Sequence, residues 1–181
     1  MRATGIVRRI DDLGRIVIPK EIRRTLRIRE TDPLEIFTDK EGEIILKKYS
    51  PIGELGTFAK TYAESLAQTT GQIVSVTDRD QIIAAAGSAK KDLLGKEIGK
   101  SLEKVLEDRV SLISTNTENS FVQITSEEED FSAEAISPII CEGDVLGAVI
   151  ILSRDSKCKF TETEKKLSMA AADFLGRQME S

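Results

Sequence analysis

Nine lysine and arginine side chains against three carboxylates fall within residues 1–29, a local net charge of +6. A guanidinium is planar and always charged, and its fork of N–H donors matches a phosphate or a guanine edge. That density therefore points to an anionic partner. The remainder has the opposite sign: residues 51–181 carry 14 bases against 22 acids, so a basic head is joined to an acidic body. Arg23, Arg24 and Arg27 lie off the apolar pair Ile22 and Leu26, which stand four apart on one face of a short helix over Lys20 to Leu26. A second reading of the same residues is a solvated face, with Arg23 and Arg24 paired to Asp11, Asp12 or Glu21.

Other chemistry is sparsely represented. Histidine is absent, which removes histidine triads, histidine general bases and most zinc hydrolase sites. Cys141 and Cys158 form no CxxC pair and read as two reduced thiols. The acidic run Glu127 to Asp130 reads as a solvated loop rather than a cation site, because no second cluster faces it in the sequence. No cofactor and no metal are expected, and no enzyme activity. The small-residue run Ala84 to Gly87 leaves space that either a small-molecule ligand or a close-packed helix would fill.

The elements that position the arginines occupy about fifty residues. Thr4 to Ile10 and Arg15 to Ile18 read as strands around the turn Asp11 to Gly14, with Pro19 ending the second. Leu34 to Thr38 and Glu43 to Tyr49 read as two more strands joined by a hairpin at Asp39 to Gly42. Such a unit is too small to bury enough surface alone, yet its strands are strongly apolar. A second copy with interleaved strands is the natural solution, so an obligate dimer is expected.

Pro51 and Gly53 punctuate a boundary where the charge changes sign. The division expected is a head over residues 1–50, a linker over 51–55 and a body over 56–181. In the body, Leu55, Phe58, Ala59, Tyr62 and Leu66 mark a helix. Strands are expected at Gln72 to Thr77, Gln81 to Ala86, Phe121 to Thr125, Ala133 to Ile140 and Val145 to Leu152. Short helices are expected at Asp92 to Leu94 and Leu102 to Arg109, the latter capped by Ser101. Glu142 to Asp144 reads as a hairpin, and Thr161 with Glu164 as a capping box opening a last helix through Met179. Helices 55–70 and 162–179 carry alanines that allow close approach, so a bundle between subunits is expected. If the head and the body join different chains, the assembly closes as a tetramer.

The run Thr4 to Leu26, above all Gly14 to Pro19 followed by Arg23, Arg24, Thr25 and Leu26, resembles the AbrB-type transition-state regulators. Leu34 to Phe37 and Ile44 to Tyr49 continue the likeness. The resemblance implies a β-rich swapped-hairpin domain in which two chains interlock. It also implies binding of double-stranded DNA through Arg8, Arg15, Arg23 and Arg24, with Arg9 keeping a charge where relatives often carry lysine. Four arginines per chain would neutralise up to about eight phosphates per dimer, giving a salt slope near −7. Spread over several elements, they imply strong phosphate contact and loose sequence preference.

The body is similar to GAF domains in element order, implying an α+β domain with a five- or six-stranded antiparallel sheet flanked by helices. The combination resembles late-sporulation regulators of endospore-forming bacteria. That implies activation and repression of forespore genes read by the sigma-G polymerase. A cytoplasmic location is expected, since Met1 to Ile10 lacks the apolar stretch of a secretory signal and no apolar run reaches the ~18 residues of a membrane span. Two alternatives stand beside this reading. In one, a ligand-sensing signalling protein uses its head only to assemble subunits. In the other, the chain is an antitoxin, which the folded body argues against.

Overall fold

Strand-forming residues need a ladder partner as well as an apolar face, and this requirement separates the two halves of the chain. The computed structural model describes residues 4–54, 56–127 and 130–180; Leu55, Glu128 and Glu129, singled out above, lie outside them. The chain divides into two units, Met1–Tyr49 and Ser50–Ser181.

In the first unit, helix α1 (Lys20–Thr25) precedes an antiparallel hairpin of β1 (Leu34–Thr38) and β2 (Ile44–Lys48), registered with Ile36 opposite Leu46. The hairpin closes as expected: one Asp39 carboxylate oxygen accepts the N–H groups of Glu41 and Glu43, and Gly42 takes φ 85°. Thr4 to Ile10 and Arg15 to Ile18, expected as strands, form no ladder with β1 or β2. The reason is physical. Their apolar alternation suits a half-buried strand, but the described chain offers them no strand to bond to. Their side chains stay outside: Val7 is 85% exposed, Ile10 67% and Val17 72%. Among described residues 4–49, Pro19 alone is buried.

The second unit has its own core. Helices α2 (Pro51–Glu54) and α3 (Gly56–Thr70) lead into strands β3 (Ile73–Thr77) and β4 (Ile82–Ala86). Short helices α4 (Lys90–Leu93) and α5 (Lys100–Asp108) follow, then β5 (Leu112–Thr115), β6 (Ala133–Cys141), β7 (Asp144–Ser153) and α6 (Glu162–Gln178). The segment read as a linker thus begins with a helical turn, and Ile52 within it is fully buried. The sheet runs β4-β3-β7-β6-β5, antiparallel throughout.

Alternation splits the sheet into two apolar faces. Val74, Val76, Ala84 and Ala86 meet α3 through Ala59, Ala63 and Ala67, and α6 through Ala171, Ala172 and Leu175. Ile73, Ala85, Ile150 and Leu152 meet α4 and α5 through Leu93, Leu102, Val105 and Leu106. Ala84 and Ala86 of the small-residue run therefore pack on the small side chains of α3, while Ala85 faces the other core.

Two expectations are corrected. The fifth strand is Leu112–Thr115, not Phe121 to Thr125. Val122 and Ile124 are buried, as their alternation implies. Their backbone, however, bonds to the Glu134 carboxylate, which accepts the Val122 N–H at 2.7 Å, and to Gly99, whose N–H reaches the Ile124 carbonyl at 2.8 Å. Helix α5 starts two residues earlier than read, after Gly99 rather than Ser101, and without a side-chain cap. A Cβ on Gly99 would stand 2.6 Å from the Thr125 carbonyl oxygen. Close approach of two backbones, not capping, fixes that boundary. No helix among the described residues is long and apolar enough to cross a membrane.

Candidate nucleic-acid interface

The basic head places its arginines on a segment, a loop and a helix. Arg8 and Arg9 stand exposed in the segment before the first turn. Asp11 builds that turn: its Oδ1 accepts the N–H of Leu13 at 3.0 Å and of Arg15 at 2.8 Å. Its carbonyl accepts the Gly14 N–H at 3.0 Å. Gly14 sits at φ 75°, where a side chain would be strained. Asp11 Oδ2 then takes the Arg15 Nε–H at 2.8 Å. Hydrogen bonds from the Arg15 backbone first, and its side chain second, hold the Asp11 carboxyl below the usual carboxylate range.

Arg23 and Arg24 occupy the last turn of α1, where cations oppose the negative end of the helix dipole. Arg24 is exposed and Arg23 half-buried. Of the solvated pairings considered, none forms. Asp11 pairs with Arg15, and no ion pair joins Arg8, Arg9, Arg23 or Arg24 to any described residue. Four exposed or half-exposed guanidinium groups are thus left for an anionic partner.

One clamp escaped sequence reasoning. Lys48 Nζ donates to the Arg27 carbonyl at 2.8 Å and lies 3.7 Å from the Asp32 carboxylate, which also accepts the Arg29 N–H at 2.8 Å. This ties β2 to the turn after α1. Asp32 and Lys48 stand 16 positions apart, and no local pattern announces such a pair.

The acidic body offers no comparable site. Among the described residues no cluster could hold a metal ion. Glu127 pairs with Lys96, and Asp130 pairs with Arg154, which also reaches Asp92 at 3.0 Å and lies over the Phe131 ring. Burial pushes the Cys141 thiol up, helped by Glu180, Glu142 and Asp144.

Residues 54–180 match the family described as stage V sporulation protein T C-terminal, transcription factor. The chain is 54% identical to stage V sporulation protein T of Bacillus subtilis over 181 residues, 99% of each chain. The chain belongs to the stage V sporulation protein T family. It is a DNA-binding transcriptional regulator with an AbrB-type head and a GAF-like body.

Residues 7–54 match the family described as antidote-toxin recognition MazE, bacterial antitoxin. The chain is also similar to the transition state regulatory protein AbrB of Bacillus subtilis, 47% identical over 85 residues, covering 46% of this chain and 88% of that one. The body shares its fold with the GAF domain of an Acinetobacter phosphoenolpyruvate-protein phosphotransferase. That match has a TM-score of 0.58 at 12% identity and covers 72% of this chain and 88% of the other.

Proposed function

We propose that this chain activates and represses late-sporulation genes, those read in the forespore by the sigma-G polymerase, from the forespore cytoplasm. The head, residues 1–50, interlocks with a second head as a swapped-hairpin dimer. Arg8, Arg9, Arg15, Arg23 and Arg24 of both copies then form one DNA-binding face. Residues 51–55 link this head to the body, residues 56–181. Helices 55–70 and 162–179 of the bodies join different chains, giving a tetramer with two heads.

The observation that carries this reading is the exposure of the head. Val7, Ile10, Val17, Ile36 and Ile44 each leave more than half of their surface in water, in a unit where Arg8, Arg9, Arg23 and Arg24 form no ion pair with any described residue. Soluble monomers of this size bury most of their large apolar side chains, and this head leaves them in water. Pairing two copies covers them, supplies ladder partners for Thr4 to Ile10 and Arg15 to Ile18, and doubles the positive face.

Arg24→Ala and Arg15→Ala in the full chain test the face. Each should weaken duplex binding roughly tenfold at moderate salt and lower the magnitude of the salt slope by about 1 to 2 per dimer. Light scattering should show unchanged mass. Gel-shift titration over a salt series measures the first, and wild-type affinity in both variants would overturn the assignment. Genome-wide occupancy mapping in sporulating cells tests the gene-level reading, which fails if bound promoters are not those active in the forespore.

A further inference from the structure

The geometry points to Asp11 as a positioning residue that decides which edge of the Arg15 guanidinium meets DNA, an inference that rests on the DNA-binding reading of the head. Asp11 and Arg15 are tied by three hydrogen bonds, and a fourth from Leu13 completes the turn. The Asp11 N–H donates to the Arg15 carbonyl at 3.0 Å. Asp11 Oδ1 accepts the Arg15 backbone N–H at 2.8 Å and the Leu13 N–H at 3.0 Å, while Oδ2 accepts the Arg15 Nε–H at 2.8 Å.

The two carboxylate oxygens therefore do separate work. Oδ1 shapes the loop, a role that needs only a neutral acceptor. Oδ2 takes the Arg15 Nε–H and no other hydrogen bond among the described residues. With Nε held, the fork left over is the pair of terminal Nη groups. That is the edge that reaches guanine O6 and N7 or two phosphate oxygens together. The Arg15 side chain remains 69% exposed, so the fork faces solvent rather than the core.

Stability does not explain the contact, because an exposed ion pair contributes little to folding. A carboxylate on a phosphate-binding face even opposes generic attraction to DNA. What Asp11 supplies is pre-organisation. The rotamer of Arg15 is restricted before the duplex arrives, and a misaligned duplex meets a negative charge. Asp11 thus lowers affinity for any duplex and raises discrimination between duplexes.

Asp11→Asn separates the two roles, since an amide oxygen still accepts the two backbone N–H groups but its NH2 cannot accept from Nε. Asp11→Ser is a second variant, whose hydroxyl can hold the turn but not reach the guanidinium. The full-length chain is titrated with the tightest duplex that the wild type selects from a random pool, and with a scrambled duplex of the same composition. Both variants should lose about fivefold or more in the ratio of the two affinities, with affinity for the scrambled duplex equal or higher. In an Arg15→Ala background the same changes should leave the ratio untouched. An unchanged ratio in Asp11→Asn, or an equal loss with and without Arg15, overturns the inference. Wild-type binding by Arg15→Ala would instead strike the DNA-binding assignment itself, so the two failures are distinguishable. Melting curves and light scattering on each variant report whether the loop and assembly survive.

Discussion

The hydroxyls of Ser137 on β6 and Ser168 on α6 lie 2.8 Å apart, and both side chains are shut off from solvent. Ser168 also reaches the Lys165 carbonyl at 2.9 Å. A hydroxyl has one proton, so Ser168 gives its own to Lys165 and accepts from Ser137. The pair pins α6 to the sheet, and its two members are not equivalent. Ser168→Ala strands a buried donor and should cost about 1 to 3 kcal/mol, whereas Ser137→Ala leaves Ser168 satisfied and should cost about 1 kcal/mol or less. Adding Ser137→Ala to Ser168→Ala should then recover part of the loss. Thermal unfolding of the three variants checks the order; equal losses from the two single changes would refute the donor assignment.

Gly176 sits inside α6, where alanine normally stabilises a helix by about 1 kcal/mol. Here a Cβ would stand 2.2 Å from the Ile140 carbonyl oxygen of β6. Backbone cannot yield as a flexible side chain does, so the clash outweighs propensity. Gly176→Ala should destabilise by roughly 1 to 3 kcal/mol, read as a lowered melting temperature. A raised one would mean that α6 does not lie this close to the sheet.

How much of this was legible in the sequence depended on the range of each interaction. Thr161 and Glu164 form the capping box read from their spacing, with the Thr161 N–H donating to Glu164 at 2.6 Å and Thr161 Oγ1 accepting the Thr163 N–H. Glu142 and Gly143 turn between β6 and β7 with positive φ at both. These contacts are local, and local patterns encode them. Alternation at Val122 and Ile124 reported burial truthfully but said nothing of a ladder, so it was mistaken for a strand, while the short run Leu112 to Thr115 was passed over. The arginines were legible as charge. That Asp11 would hold Arg15, and leave Arg23 and Arg24 open, required the path of the loop.

Glu118 links stability to pH. Hydrogen bonds from the Thr115 N–H at 3.2 Å and the Ser114 hydroxyl at 3.0 Å hold its carboxyl below the usual range. The folded value lies below the unfolded one, so the contribution is present above the unfolded pKa, near 4.3, and is lost as pH falls through the folded value. Wild type should therefore melt higher than Glu118→Gln at about pH 7, with the gap narrowing as pH falls below the unfolded pKa. A gap that widened on acidification would reverse the sign and rule out the hydrogen-bond explanation.

Phe174 on α6 stacks on two rings of α3, with centroids 5.6 Å from Phe58 and 5.2 Å from Tyr62. Phe58 is 41% exposed, so the ridge that joins the two helices also fronts solvent. If the bodies pair through these helices, Phe58 lies on the joint. A lysine there should be tolerated by the subunit, whose cores contain other residues, but not by a seated second copy that would bury its charge. Phe58→Lys should then halve the mass found by light scattering, from tetramer to dimer, with little change in melting temperature. Each dimer keeps one head, so binding to a short duplex should persist. A long duplex engaged by both heads should bind the variant more weakly, by the factor that effective concentration had supplied. An unchanged mass at micromolar protein would place the second interface elsewhere.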